Sequence, residues 1–306
     1  MSCVLITGVT GQVGNALKMR SSTVEKMFDQ VVFVGRSELN LASQSDMEKF
    51  LDVLKPTVII NPAAYTAVDQ AESDCDAAML VNTQAPTVLA QWAKRNNALL
   101  IHYSTDYVFD GKKIDPYNES DPTSPQSMYG STKLGGEKAI LESRCDHIIF
   151  RTSWVYGAFG KNFLKTILRL SMEKSELRIV ADQFGTPTSA DLIADVTLQV
   201  LQKYLSSGHE SKLAYHGLYH LTARESTNWC EFARLVVTEA TKYTKLNVTP
   251  SSVYPISSCE YPTPASRPVN SRLDTTKLTS VFEIQLPSWK EGVASSVSEF
   301  LAQPLN

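Results

Sequence analysis

Through the first half of the chain, short runs of β-branched and aliphatic residues alternate with longer stretches of helical spacing. Cys3–Ile6, Val31–Val34, Thr57–Asn61, Leu99–Ser104 and Ile148–Phe150 read as strands, and Gln12–Arg20, Gln44–Leu54, Ala77–Arg95 and Ser127–Glu142 as helices. Runs such as VIIN and ALLIHYS stay apolar residue after residue, as in strands covered on both faces. The pattern predicts an α/β fold with a doubly wound parallel sheet of Rossmann type. Past Arg151 the elements shorten and Pro-rich loops such as DQFGTPTSAD and YPTPASRPVNSRL appear. Helices are expected there at Asn162–Lys174, Ala190–Leu205, Trp229–Tyr243 and Ser288–Leu301. Residues 1–151 should therefore form the Rossmann domain and 152–306 mainly a smaller α+β lobe, with segments near 177–205 able to pack back onto the sheet.

Composition narrows the class. With 306 residues, 43% hydrophobic and 20% charged, the chain suits one large α/β unit with a smaller companion. A net charge of -3 with dispersed Lys and Arg argues against nucleic acid and for a small-molecule partner. The five cysteines, Cys3, Cys75, Cys145, Cys230 and Cys259, are odd in number and lack metal-ligand spacing, so they read as reduced thiols. The sequence enters a strand at once without a charged leader, and no apolar stretch approaches the ~20 residues of a membrane span. A cytoplasmic protein away from membranes is the expectation.

Candidate chemistry starts at VLITGVTGQVG, where Gly8, Gly11 and Gly14 follow a strand and open a helix. The first glycine allows a tight turn, the second lets backbone N–H groups approach a pyrophosphate, and the third lets the helix pack closely. An acid at the end of the second strand would accept from a ribose 2′-hydroxyl, but Gly35 stands there, followed by Arg36. That favours NADPH, with NADH possible. In SMYGSTKLGGEKA, Tyr129 and Lys133 are four apart and share a helix face. An ammonium near a phenol lowers the phenol's pKa and fits it to protonate a carbonyl under reduction, and Lys133 would also hold the nicotinamide ribose. Ser104 and Thr105 add hydroxyls at the C-terminal edge of the sheet, where α/β enzymes place their sites.

Glycine turn, strand-end hydroxyls and Tyr-x-x-x-Lys resemble, in order and spacing, the extended short-chain dehydrogenase/reductases. More narrowly, TGVTGQVG, NPAAYTAVDQAES, HYSTDYVFDG, SPQSMYGSTKLGGEKA, FRTSWVYGAFGKNF, DQFGTPTSADLIAD, YPTPASRPVNSRL and LPSWKEGV resemble the dTDP-4-dehydrorhamnose reductase family nearly end to end. The resemblance implies reduction of the C4 ketone of dTDP-4-dehydro-β-L-rhamnose, with Tyr129 protonating the alkoxide, Thr105 hydrogen-bonding the carbonyl and Lys133 tuning Tyr129. Gln12, Val13, Asn40, Leu41, Ala63, Ala64 and Tyr65 would border the cofactor. Trp154 would border the substrate beside Ser104 and Thr105, and Arg267 would meet the diphosphate of the dTDP-sugar. Some relatives resemble a dimer bridged by Mg²⁺; the matching positions here are Ala16, Asp191 and Lys290, only one of them acidic. A hard cation wants several oxygen ligands, so Mg²⁺ is doubtful and a monomer or weak homodimer is expected. The alternatives are a sugar-nucleotide epimerase or dehydratase of the same superfamily, and a non-catalytic subunit like the β subunit of methionine adenosyltransferase.

Overall fold

A computed structural model describes residues 1–302. Its central sheet has six parallel strands: β1 (Cys3–Ile6), β2 (Gln30–Phe33), β3 (Val58–Asn61), β4 (Leu99–Thr105), β5 (Asp146–Thr152) and β6 (Gly217–His220). The order is β6-β5-β4-β3-β1-β2, so the winding direction reverses between β1 and β3. The main helices are α1 (Gln12–Lys18), α2 (Gln44–Leu54), α3 (Ala85–Asn96), α4 (Met128–Ser143), α5 (Phe163–Glu173), α6 (Ala190–Ser206), α7 (Trp229–Ala240) and α8 (Trp289–Ala302).

Successive strand residues point to opposite faces, and here both faces are buried. Val4, Ile6, Ile101, Ile148 and Phe150 join Leu17 of α1 and Ile193 and Leu201 of α6 in one core. Leu5, Ile59, Leu100 and Ile149 join Met47 and Leu51 of α2, Leu89 and Trp92 of α3 and Ile140 of α4 in another. Two elements that cover or extend the sheet, α6 and β6, thus come from the later half of the chain. A third core gathers α5, α7 and α8 around Leu164, Ile167, Phe232, Val236, Trp289 and Val293. Beside it, Leu177–Val180 pairs in parallel with Val253–Ile256.

The helix expected over Ala77–Arg95 is interrupted. Cys75–Met79 runs into one π-helical turn, Leu80–Gln84, before α3 begins. The cause is Asn82, which is fully buried. Its amide accepts from the Tyr65 N–H at 2.8 Å and donates to the Tyr65 carbonyl at 3.0 Å and to Thr132 Oγ1 at 3.1 Å. A bulge of this kind re-aims one side chain out of the helix ladder, and here it clamps the loop after β3.

Candidate active site

The carboxyl ends of the strands open, at the β1–β3 reversal, into a cleft of about 1030 Å³. Open α/β sheets hold their ligands at such reversals. Gly8 has φ +61°, and a Cβ there would lie 2.8 Å from the Ala63 backbone; a Cβ on Gly14 would fall 2.1 Å from the Gly8 carbonyl oxygen. The turn, the loop after β3 and the start of α1 are therefore packed at distances only glycine permits, a cradle that fits a pyrophosphate. Gly8, Gly11, Gln12, Val13, Arg36, Asn40, Leu41, Ala63 and Ala64 line the cleft. Gly14 lies behind the turn, and Tyr65 is held away by Asn82 and by its hydroxyl's 3.1 Å bond to Asp74. Arg36 is exposed at the cleft edge, and Glu38 folds back so that its carboxylate accepts the Gly35 N–H at 2.8 Å. An acid that the strand-end position lacks is thus returned from three residues on.

At the other end, Ser104, Thr105, Tyr129 and Lys133 line the same cleft. Ser127 caps α4, accepting from the Gly130 N–H. Gly130 and Gly136 let α4 approach so closely that a Cβ would stand 2.2 Å from the Tyr107 carbonyl oxygen and 2.3 Å from that of Asn82. Lys133 is buried and its Nζ donates to the Tyr103 carbonyl at 2.5 Å, with His102 Nε2 at 3.3 Å. Burial pushes this lysine down to about 8, while Glu137 one turn on pulls it up. The expectation that Lys133 lowers the Tyr129 phenol does not hold here. Burial, then the Asp106 and Tyr107 charges, raise Tyr129, and only the Thr105 hydroxyl lowers it, because the ammonium is aimed at β4 instead.

The Thr105 hydroxyl donates to Asp106 Oδ1 at 3.0 Å and accepts the Tyr107 N–H at 3.2 Å. Asp106 is buried and pushed up to about 6 by that burial, against the hydrogen bonds of Ser271 and Thr105. Ser104 Oγ is buried without a protein partner. Trp154, in the left-handed region at φ +48°, lines the cleft and stacks on Trp229 with centroids 3.6 Å apart. Gly185 lies beneath it, where a Cβ would meet the indole at 2.4 Å. Arg267 is outside the cleft lining; it pairs with Asp69 at 2.6 Å and reaches the Tyr107 hydroxyl at 3.2 Å. Sequence reasoning missed Asp69, Asp106 and Asn82; only the polar interruption NTQ inside an otherwise helical run signalled the last.

The positions matching a metal bridge are otherwise engaged. Ala16 offers only its carbonyl, which accepts from Arg20; Arg20 also binds Asp191 at 2.8 Å and Asp195 at 2.5 Å. Lys290 lies 3.1 Å from Glu225. Among the described residues no group of three or more His, Cys, Asp or Glu is placed to hold an ion, and this donor set does not fit one.

Sheet order and cleft place the molecule with the extended short-chain dehydrogenase/reductases. Within that class, the family model described as RmlD substrate binding domain matches residues 1–302, and the chain belongs to this family. It is 45% identical over 303 residues to a dTDP-4-dehydrorhamnose reductase of Burkholderia thailandensis, covering 98% of this chain and 99% of that one. A protein of the same name from Salmonella typhimurium is 41% identical over 302 residues, with 97% of both chains covered. Among solved structures, a Bacillus anthracis dTDP-4-dehydrorhamnose reductase in complex with NADP superposes with TM-score 0.85 at 33% identity, covering 98% of this chain and all of that one.

Proposed function

We propose that this chain is a dTDP-4-dehydrorhamnose reductase, reducing the C4 ketone of dTDP-4-dehydro-β-L-rhamnose with NADPH to give dTDP-β-L-rhamnose for cell-surface polysaccharide. The observation that carries this is one cleft lined by the glycine turn at one end and Thr105, Tyr129 and Lys133 at the other. Near-full-length identity to proteins of that name supports the substrate, since it extends through the segments after β5. The NADP complex of a relative supports the cofactor, with NADH as the alternative donor.

Gly8, Gly11 and the residues around them hold the dinucleotide, and Arg36 faces its 2′-phosphate. When bound, the nicotinamide supplies two electrons and one hydrogen to the ketone carbon. Tyr129, kept protonated by its burial, gives its proton to the developing alkoxide, which removes the charge as it forms. Thr105, turning its proton from Asp106 to the substrate, hydrogen-bonds the carbonyl beside Ser104, whose unpartnered hydroxyl is free to donate. Lys133 contributes positive charge behind them. On this reading 1–151 serve mainly the cofactor and 152–306 mainly the sugar nucleotide, with Trp154 and Arg267 on the substrate side. The protein works in the cytoplasm as a monomer or weak homodimer, without nucleic acid or membrane; no helix among the described residues is long and apolar enough to cross one. The test is NADPH oxidation with freshly made dTDP-4-dehydrorhamnose and identification of the product. Equimolar NADP⁺ and dTDP-rhamnose are expected, and epimerised or dehydrated product without net NADPH consumption would refute the reading.

A further inference from the structure

Behind the cleft a line of buried polar groups crosses three strands of the sheet. Thr7, at the end of β1, lies with its hydroxyl 2.6 Å from Asn61 Oδ1 at the end of β3. Asn61 Nδ2 is 3.2 Å from His102 Nδ1 on β4, and His102 Nε2 is 3.3 Å from Lys133 Nζ on α4. All four side chains are buried, none above 2% exposed. Thr7 and Lys133 line the cleft at its opposite ends, whereas Asn61 and His102 do not touch it. A fully buried histidine needs a reason, and the reaction as described gives His102 none.

The reason lies in the direction of the hydrogen bonds. If the Thr7 hydroxyl donates to Asn61 and the Asn61 amide donates to Nδ1, neutral His102 carries its one proton on Nε2. That proton then faces Lys133, so this direction is consistent only with a neutral amine. The oxygen and nitrogen of an amide are nearly alike in shape, so turning the Asn61 amide over leaves every heavy atom in place and reverses the line. The Lys133 ammonium now donates to Nε2, Nδ1–H donates to the Asn61 oxygen, and the amide N–H₂ donates to Thr7. Every donor meets an acceptor, and the Thr7 proton is released toward the phosphate end of the cleft. Two contacts favour this direction: Glu137, whose charge favours the ammonium, follows Lys133 by one turn of α4, and an ammonium donates to the Tyr103 carbonyl more strongly than a neutral amine does.

We propose that His102 is a positioning residue for Lys133: Asn61 fixes it as the Nδ1–H tautomer, so that Nε2 accepts from the buried ammonium and Thr7 is left free to donate to the cofactor's phosphates. The proposal rests on the reductase reading for its consequence but not for its geometry. Groups facing the pair are few. Lys133 meets His102 and the Tyr103 carbonyl from β4 and has Tyr129 and Glu137 on its own helix, Glu137 being held by Arg151 of β5; His102 meets Asn61 from β3. Burial holds His102 well below the usual histidine range, so it stays neutral and its tautomer is the only variable.

The first measurement is the tautomer of His102 in the resting protein, from ¹⁵N-histidine NMR at pH 7, with the signal assigned by its loss in His102→Gln. A protonated Nδ1 with a bare Nε2 is expected, and the opposite tautomer would overturn the proposal. The second is the pH profile of kcat. His102→Leu removes the acceptor and should move the alkaline limb down by about one pH unit with little change in KM, and His102→Gln, which keeps an acceptor, should restore it. A uniform loss of kcat with the limb unmoved would show a packing role and defeat the idea; if the Leu variant fails to fold, the tautomer decides alone. Because the NMR uses no substrate, an inactive wild-type protein would sink the reductase reading while still reporting on the tautomer.

Discussion

Glu137 of α4 and Arg151 of β5 join that helix to the sheet. Both are buried, with side chains 1% and 5% exposed, and the guanidinium grips the carboxylate with both arms at 2.9 and 2.6 Å. Its third nitrogen has no protein partner, and its plane lies over the Phe109 ring, 4.9 Å from the centroid. Glu137→Ala would leave a guanidinium buried without a counter-charge, which costs about 3–5 kcal/mol. At roughly 2–4 °C per kcal/mol for a chain of this size, Tm should fall by roughly 6–20 °C. Replacing both partners with apolar residues removes the stranded charge, so Glu137→Leu/Arg151→Met should recover most of the loss. Thermal unfolding followed by circular dichroism on the two single variants and the double variant closes the cycle. Singles that unfold within a degree or two of the wild type, or a double no better than the worse single, would refute the reasoning.

Tyr129→Phe should lower kcat about 10²-fold or more while leaving NADPH binding near normal; turnover close to wild type would remove Tyr129 from the mechanism. Arg36→Ala should weaken NADPH more than NADH by roughly 1–3 kcal/mol, read as Kd by titration, and equal losses would show that Arg36 does not read the 2′-phosphate. Asp106 is raised in the fold to about 6 from 3.8, so the stability it contributes is complete below pH 4 and is lost as pH rises through 6, to the extent of about 2–3 kcal/mol. Asp106→Asn should flatten that part of the stability profile; an unchanged slope in urea unfolding would put the titration elsewhere. Exhaustive EDTA treatment should leave NADPH oxidation intact, since Asp191 is the one carboxylate among the three matching positions and Arg20 already holds it; a loss restored by Mg²⁺ would contradict this.

The strands were legible because burial on both faces writes an unbroken apolar run, and β1 and β3 begin and end within a residue of the expected limits. β6 left no such run: Gly217–His220 carries a buried histidine and ends where the chain turns, so its pairing with β5 is a property of the whole fold. The same holds for the π-helical turn, whose cause is a bond from Asn82 to a loop 17 residues away. In the site, residue types and spacing placed Tyr129, Lys133, Ser104 and Thr105 on one cleft. They did not reveal that the lysine is aimed at β4, because the i,i+4 rule puts two side chains on one face without fixing what else that face touches.

The close seating of α4 bears on how this scaffold diverges. Because Gly130 and Gly136 bring that helix against the Tyr107 and Asn82 carbonyls, its seat at these two points is set by backbone atoms. Neighbouring apolar residues can drift without re-aiming Tyr129 or Lys133. A side chain added at either glycine would move Tyr129 and Lys133 together with the rest of α4, so those positions should be the least forgiving in a saturation library selected for turnover.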